Sequence, residues 1–191
     1  MSCRAMAKRY KVRRRPRAIR ETRGMRFAVE HEFAAPRAEV IALACDPAFQ
    51  STLDLPDVSR AEVVEATVVA SQHVLRLRYE FTGSLDPIAR KLLAGRKLSW
   101  LQDLRVDAGT GAGNLSFSAE SEPRRLFGRA DLLFETLDGD TRTRRQIRGD
   151  LHVKVPLVGG SAEKRIVPGL VARLDVEAAA LTRQLEADES R

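Results

Sequence analysis

The sequence predicts an α+β domain in which a curved antiparallel sheet of about six or seven strands grips one long C-terminal helix. Strand-like segments follow one another through short turns, and short connections favour antiparallel pairing. Two short helical segments come directly after the first strand, and a single long amphipathic helix closes the chain. With 191 residues, 43% of them hydrophobic, the chain is long enough for one domain with a proper core.

The first strand and the helix pair are predicted between residues 26 and 53. Residues 26–33 alternate apolar and polar side chains, which is the period of a half-buried strand. Pro36 suits the first turn of a helix, and Glu39 lies near the positive end of its dipole. Asp46 and Pro47 end that helix and allow a second short turn of helix after them.

Six further strands are predicted from alternation and turn signals. They span residues 58–69, 72–82, 98–107, 115–119, 128–137 and 143–155. The clearest is 72–82, which places Leu75, Leu77, Tyr79 and Phe81 on one face. A short helix is predicted at residues 86–93, where the connection loses the strand period.

The C-terminal helix is predicted over residues 159–186. Its apolar stripe consists of Ile166, Leu170, Leu174, Ala178, Leu181 and Leu185. Its charged residues are expected largely elsewhere on the helix, namely Glu163, Lys164, Arg173, Glu177, Arg183 and Glu186. Pro168 should kink the helix or delay its start, and Pro168-Gly169 is interpreted either as a hinge or as a packing kink.

The basic character of the chain is concentrated at its N-terminus. Residues 1–26 contain eleven Lys or Arg and one acid, whereas the rest contains 22 bases and 25 acids. Residues 1–24 are expected to be a disordered basic tail, followed by a domain at 25–187 and a short C-terminal tail at 188–191. The tail is interpreted in one of two ways: as an arm for nucleic acid or an anionic membrane, or as a solvated segment, with a true start at Met25 as a variant of the second interpretation.

Other sites are not predicted. Two cysteines and three scattered histidines give neither a disulfide framework nor a metal-ligand spacing, so no metal and no cofactor is expected. No apolar run is long enough to span a bilayer, and no secretory signal pattern is present, so cytoplasmic residence is expected.

The element order and local text resemble the START-like superfamily, also called helix-grip, SRPBCC, polyketide cyclase or birch-pollen-allergen-like. Residues 25–40 are similar to its opening strand and proline-started helix, and residues 153–185 to its last strand and gripping helix. The segment Tyr79-Glu80-Phe81-Thr82-Gly83, followed by Leu98-Ser99-Trp100, is similar to an uncharacterised bacterial branch of that superfamily. The resemblance covers about residues 25–187.

The resemblance implies a cavity between the concave face of the sheet and the C-terminal helix, used for lipids, sterols, quinones or polyketides. The inward-facing candidates are mostly apolar, which is the usual lining of a small-ligand site. The predicted lining residues are His31, Leu77, Tyr79, Phe81, Trp100, Gln102, Phe117, Phe134, Leu170 and Leu174.

Three functional hypotheses follow. The first is a non-enzymatic binding protein or carrier for a hydrophobic small molecule. The second is a cyclase, aromatase or hydrolase of the same fold that uses His31 or Tyr79, although each of these could equally be ordinary core. The third is a nucleic-acid or membrane-surface adaptor that acts through residues 1–24. The oligomeric state is left open.

Overall fold

A seven-stranded antiparallel sheet forms the body of the domain in a computed structural model that describes residues 24–85, 87, 90 and 96–189. The strands are β1 (Met25–Phe33), β2 (Glu62–Val69), β3 (Gln72–Glu80), β4 (Ser99–Asp107), β5 (Ala112–Ala119), β6 (Leu126–Leu137) and β7 (Arg142–Val153). The helices are α1 (Arg37–Ala44), α2 (Pro47–Thr52) and α3 (Gly159–Glu189). This α+β architecture, with a curved sheet and a long C-terminal helix, confirms the predicted fold class.

The sheet has the order β1-β7-β6-β5-β4-β3-β2. Strands β2 to β7 form an antiparallel meander, and β1 pairs with β7 at the far edge. The order therefore places β1 and β2 at opposite edges, with the helix pair in the connection between them.

Along each strand, side chains alternate between the two faces of the sheet, and this alternation decides which of them face the core. In β6, Gly128, Ala130, Leu132 and Phe134 are buried, while the residues between them are exposed. In β3, Leu75, Leu77 and Tyr79 share the buried face, as the sequence pattern predicts. Burying one face of each strand gives the sheet an apolar concave surface that needs a cover.

Helix α3 provides that cover. Its residues in the core are Val167, Leu170, Leu174, Ala178, Leu181 and Leu185. The helix backbone lies closest to β1 and β7, so it runs along one side of the sheet. The helix begins at Gly159, as predicted, and continues through Pro168, so the alternative in which it starts only after the proline is wrong.

Some predictions fall on residues outside those described. The basic tail at 1–24 lies outside them except for Gly24, and the short helix at 86–93 does so except for Pro87 and Arg90, which are helical. Among the described helices, none combines the length and apolarity that a membrane span requires.

Leu181→Ala should lower the free energy of unfolding by about 2–5 kcal/mol, because it leaves a cavity beneath α3 where the side chain is 0% exposed. Val176→Ala is the matched control, since Val176 lies on the same helix and is 37% exposed; its effect should stay within about 1 kcal/mol. Urea unfolding of both variants checks this, and equal effects would contradict the described orientation of the helix.

Candidate functional site

A small cavity lies between the concave face of the sheet and α3. Its volume is about 20 Å³, which is close to the space that one water molecule needs. The apolar part of its wall consists of Ala44, Leu75, Leu77, Leu104, Leu115, Leu132, Phe134, Ile147 and Leu174. The polar part consists of Gln50, Gln102, Arg145 and Glu177. Side chains therefore fill most of the space between helix and sheet.

An ion pair crosses this space from β7 to α3. Arg145 Nη1 donates to Glu177 Oε1 at 3.0 Å, and the two side chains are only 3% and 12% exposed. Arg145 Nη2 also donates to the carbonyl oxygen of Leu174 at 3.3 Å, and the guanidinium lies 5.7 Å from the ring centre of Phe33. Because both charges are desolvated, removing one of them leaves the other uncompensated in the core.

His31 is held from both sides. Its Nε2 lies 2.9 Å from Asp175 Oδ1, and its Nδ1 lies 3.3 Å from Arg145 Nη2. A guanidinium only donates, so Nδ1 accepts and the proton resides on Nε2. Burial, together with the nearby charge of Arg145, lowers the pKa of His31 against the opposing effect of Asp175. Both ring nitrogens are thus engaged within the protein, and the imidazole is neutral at neutral pH.

Cys45, at the C-terminal end of α1, and Gln50 of α2 lie close to Glu177. Gln50 is buried and donates to the carbonyl oxygen of Ala44 at 2.9 Å, with Glu177 Oε1 a further 3.5 Å contact. Burial, and secondarily the charge of Glu177, raises the pKa of the Cys45 thiol to about 12. Cys45 is therefore a packed thiol without nucleophilic character at neutral pH.

A second group of side chains lies at the ends of β3 and β4. The rings of Tyr79 and Trp100 stack with centres 5.7 Å apart, and the Arg173 guanidinium lies 4.9 Å from the Trp100 ring centre. Burial raises the pKa of the Tyr79 hydroxyl and lowers the pKa of Arg173. Tyr79 therefore stays a protonated phenol at neutral pH.

The predicted lining residues separate into groups. Leu77, Gln102, Phe134 and Leu174 line the cavity. Tyr79 and Trp100 lie two residues along their strands from Leu77 and Gln102, and His31 reaches the wall through Arg145. Leu170 is buried core beneath α3, and Phe81 is partly buried where its backbone bridges to Val58.

Phe117 lies instead at a different concavity. This outer groove has a volume of about 420 Å³ and is lined by Ser116, Phe117, Ser118, Pro123, Arg124, Phe127, Gly128, Arg129 and Lys154. Lys154 Nζ lies 4.9 Å from the Phe127 ring centre. The outer groove is larger than the cavity, but it is a solvent-open depression of the surface.

Sequence reasoning missed the charged members of the site. The charged residues of α3 are expected largely away from its apolar stripe, yet two of them reach the sheet, since Arg173 meets Trp100 and Glu177 meets Arg145. Arg145 is absent from the residues predicted for the site. The available signal was the alternation of β7, in which Arg145 stands between the inward residues Thr143 and Ile147.

A comparison with protein families matches residues 28–185 to a family described as "Protein of unknown function (DUF2505)". No curated protein matches the chain.

Several solved structures share this fold. TTHA0849 from Thermus thermophilus is 18% identical, with a TM-score of 0.61 over 86% of this chain and 99% of its own. The Zhui aromatase/cyclase from Streptomyces sp. R1128 is 17% identical, with a TM-score of 0.53 over 84% of this chain and 96% of its own. Ara h 8.0201 is 14% identical, with a TM-score of 0.54 over 85% of this chain and 98% of its own. At these identities the likeness shows the fold, which is the START-like fold that the sequence predicts.

Glu177→Leu should lower the free energy of unfolding by about 3–5 kcal/mol, because it leaves the Arg145 guanidinium buried without its carboxylate. The double variant Arg145→Met with Glu177→Leu should show a smaller decrease in the free energy of unfolding than Glu177→Leu alone, since it removes both charges. Urea unfolding of the three proteins measures the difference, and a double variant as unstable as the sum of its single variants would contradict a coupled pair.

Stability should decrease toward acidic pH in a way that depends on His31. The folded protein holds the His31 proton less readily than the unfolded chain, because burial lowers its pKa from 6.5. Neutral His31 therefore contributes its full stabilisation of the folded protein above the pKa that the histidine has in the unfolded chain. This stabilisation is lost as the pH falls through the lower pKa that it has in the folded protein. His31→Gln can keep both hydrogen bonds but does not titrate, so its free energy of unfolding should change less between about pH 7 and about pH 5. Parallel pH profiles of the two proteins would contradict this assignment.

Proposed function

The chain belongs to the DUF2505 family, and on its START-like fold we propose that it binds a hydrophobic small molecule between the concave face of the sheet and α3. The observation that carries the proposal is the wall of the cavity. Nine apolar residues form most of it and four polar residues converge on it, which is the usual composition of a small-ligand site. A core that served stability alone would gain little from a desolvated ion pair at its centre.

Binding requires the cavity to expand. A volume of about 20 Å³ excludes any ligand larger than a water molecule, so the ligand must displace side chains or move α3. The helix backbone lies closest to β1 and β7, and long side chains such as Arg173 reach across to β4. A ligand that enters between those side chains and the sheet would favour an open state over the closed one.

Pro168-Gly169 is the place where we propose that α3 bends during opening. Both residues are exposed, and apart from the adjoining residues and the backbone of the helix itself, no heavy atom lies within 4 Å of where a Gly169 side chain would begin. Proline removes one intrahelical hydrogen bond, and glycine lowers the local helix propensity, so bending costs least at this point.

Binding is favoured over catalysis by the state of the titratable groups. His31 has both ring nitrogens engaged by Asp175 and Arg145. The Tyr79 hydroxyl has a raised pKa, so it donates a hydrogen bond more readily than it gives up its proton. The fold is shared with an aromatase/cyclase and with a START superfamily protein from Mycobacterium smegmatis, and we carry over to this chain only the fold and not the reaction.

Purified protein should carry or take up an apolar molecule, seen as an added mass in native mass spectrometry or as enhanced emission of a lipophilic fluorophore. Leu77→Trp places a large ring in the cavity wall and should reduce uptake by about tenfold or more. Leu133→Trp is the matched control, because Leu133 is on an adjoining part of the sheet but is 39% exposed, and it should bind as the unmodified protein does.

Circular dichroism of both variants confirms that they are folded before uptake is compared. Equal uptake by folded Leu77→Trp and Leu133→Trp would place the bound molecule elsewhere. The absence of uptake by the unmodified protein across a series of apolar probes would overturn the proposed function.

A further inference from the structure

Arg173 is a partly buried cation without an ion-pair partner in the part of the chain that the structure describes. It projects from α3 over the ring of Trp100, and no described carboxylate lies within 4 Å of it. Glu177, one turn further along the helix, gives its short contact to Arg145 instead. Partial burial lowers the pKa of this guanidinium, and a charge of this kind beside an apolar space is a candidate ligand-binding group.

The Tyr79 hydroxyl is the second unused donor. Tyr79 is 2% exposed, and its hydroxyl makes no hydrogen bond to the described residues, while the charge of Arg173 acts on it directly. The hydroxyl keeps some contact with solvent, since Arg145 Nε is the one fully buried side-chain polar atom without a partner among the described residues. The hydroxyl is therefore available to donate to a ligand.

The position of these groups relative to the cavity is set by strand register. Tyr79 pairs with Trp100, and Leu77 pairs with Gln102, one step along the same face. Leu77 and Gln102 line the cavity together with Leu174, the residue after Arg173 on α3. The Arg173 guanidinium and the Tyr79 hydroxyl therefore lie at one end of the apolar space between α3 and the sheet.

The ion pairs of this layer leave the Arg173 charge without a carboxylate. Glu177 pairs with Arg145, and Asp175 contacts the neutral imidazole of His31. A carboxylate matches the planar fork of a guanidinium, so a bound monocarboxylate would pair with Arg173.

We propose that Arg173 and Tyr79, with Trp100 beneath the guanidinium, bind the carboxylate end of the ligand, so that the ligand is an organic monocarboxylate with an apolar body. This inference rests on the proposed function, since the apolar body occupies the space between α3 and the sheet. The carboxylate accepts from the Arg173 guanidinium and from the Tyr79 hydroxyl, and the chain of the ligand extends past Leu77 toward the other cavity residues.

The test compares dodecanoate with dodecanol, which share an apolar chain and differ in the end group. Trp100 is the only tryptophan in the sequence, so intrinsic fluorescence reports on this end of the space directly. Titrations at neutral pH, followed by fluorescence and by calorimetry, should give an affinity for dodecanoate at least about tenfold higher than for dodecanol.

Arg173→Met should remove that preference while leaving the affinity for dodecanol unchanged within about threefold. Arg173→Lys should retain part of it, because the lysine keeps the charge but loses the bidentate geometry. Arg183→Met is the matched control, since Arg183 is an exposed arginine on the same helix, and it should keep the full preference.

Each outcome bears on a different statement. If dodecanoate and dodecanol bind equally tightly to the unmodified protein, or if folded Arg173→Met keeps the preference, the carboxylate site is overturned and the proposed function stands. If neither molecule binds, both are overturned. A preference that is lost in Arg173→Met and kept in Arg183→Met supports the assignment.

Discussion

One helix must cover the concave face of a seven-stranded sheet, and this constraint shapes the rest of the molecule. The backbone of α3 lies closest to β1 and β7, so the inner faces of β3 to β6 are covered mainly by side chains. Large residues such as Tyr79, Trp100 and Phe134 fill part of that space. The remainder is reached by Arg145 from the sheet and by Arg173 from the helix.

The charged side chains in this apolar space hold α3 against the sheet at one point and leave a cation without a carboxylate partner among the described residues at another. The pair of Arg145 and Glu177 ties β7 to α3 across a desolvated gap, so the closed arrangement depends on both charges being present. Arg173 has no such pair among the described residues, so its guanidinium over Trp100 is available to a ligand. The same layer of side chains therefore closes the space and marks where it can open.

The titratable groups of the polar cluster are engaged within the protein or packed in its core. His31 is positioned between Asp175 and Arg145 and contributes to the wall by orienting them. Cys45 is neutral and packed. Within the described part of the chain, no group of three or more His, Cys, Asp or Glu side chains is placed to hold a metal ion.

Most of the fold could be predicted from the sequence, because periodicity carries it. The alternation in β3 and β6 and the apolar stripe of α3 each specify a buried face locally, and α3 begins at the predicted Gly159. The same patterns predict which strands and which helix form the apolar wall of the cavity. Four of the predicted lining residues do line it, namely Leu77, Gln102, Phe134 and Leu174.

The charged part of the site could not be predicted in this way. Arg145 and Glu177 are 32 residues apart and His31 and Asp175 are 144 apart, so no local pattern joins them. A charged residue at an inward position of a strand is usually interpreted as a sign that the strand register was assigned one residue off. A charged residue beside the apolar stripe of a helix is usually interpreted as lying at the margin of that stripe. Only the pairing of β1 with β7 and the placement of α3 bring these side chains together.

A crystal structure of the protein with ω-bromododecanoate, located by the anomalous signal of bromine, tests most directly whether a ligand lies between α3 and the sheet. We expect the carboxylate at Arg173 and Tyr79 and the bromine deep among the apolar residues of the cavity wall, such as Leu115 and Leu132. Bromine found only in the outer groove beside Phe127 and Lys154 would contradict it.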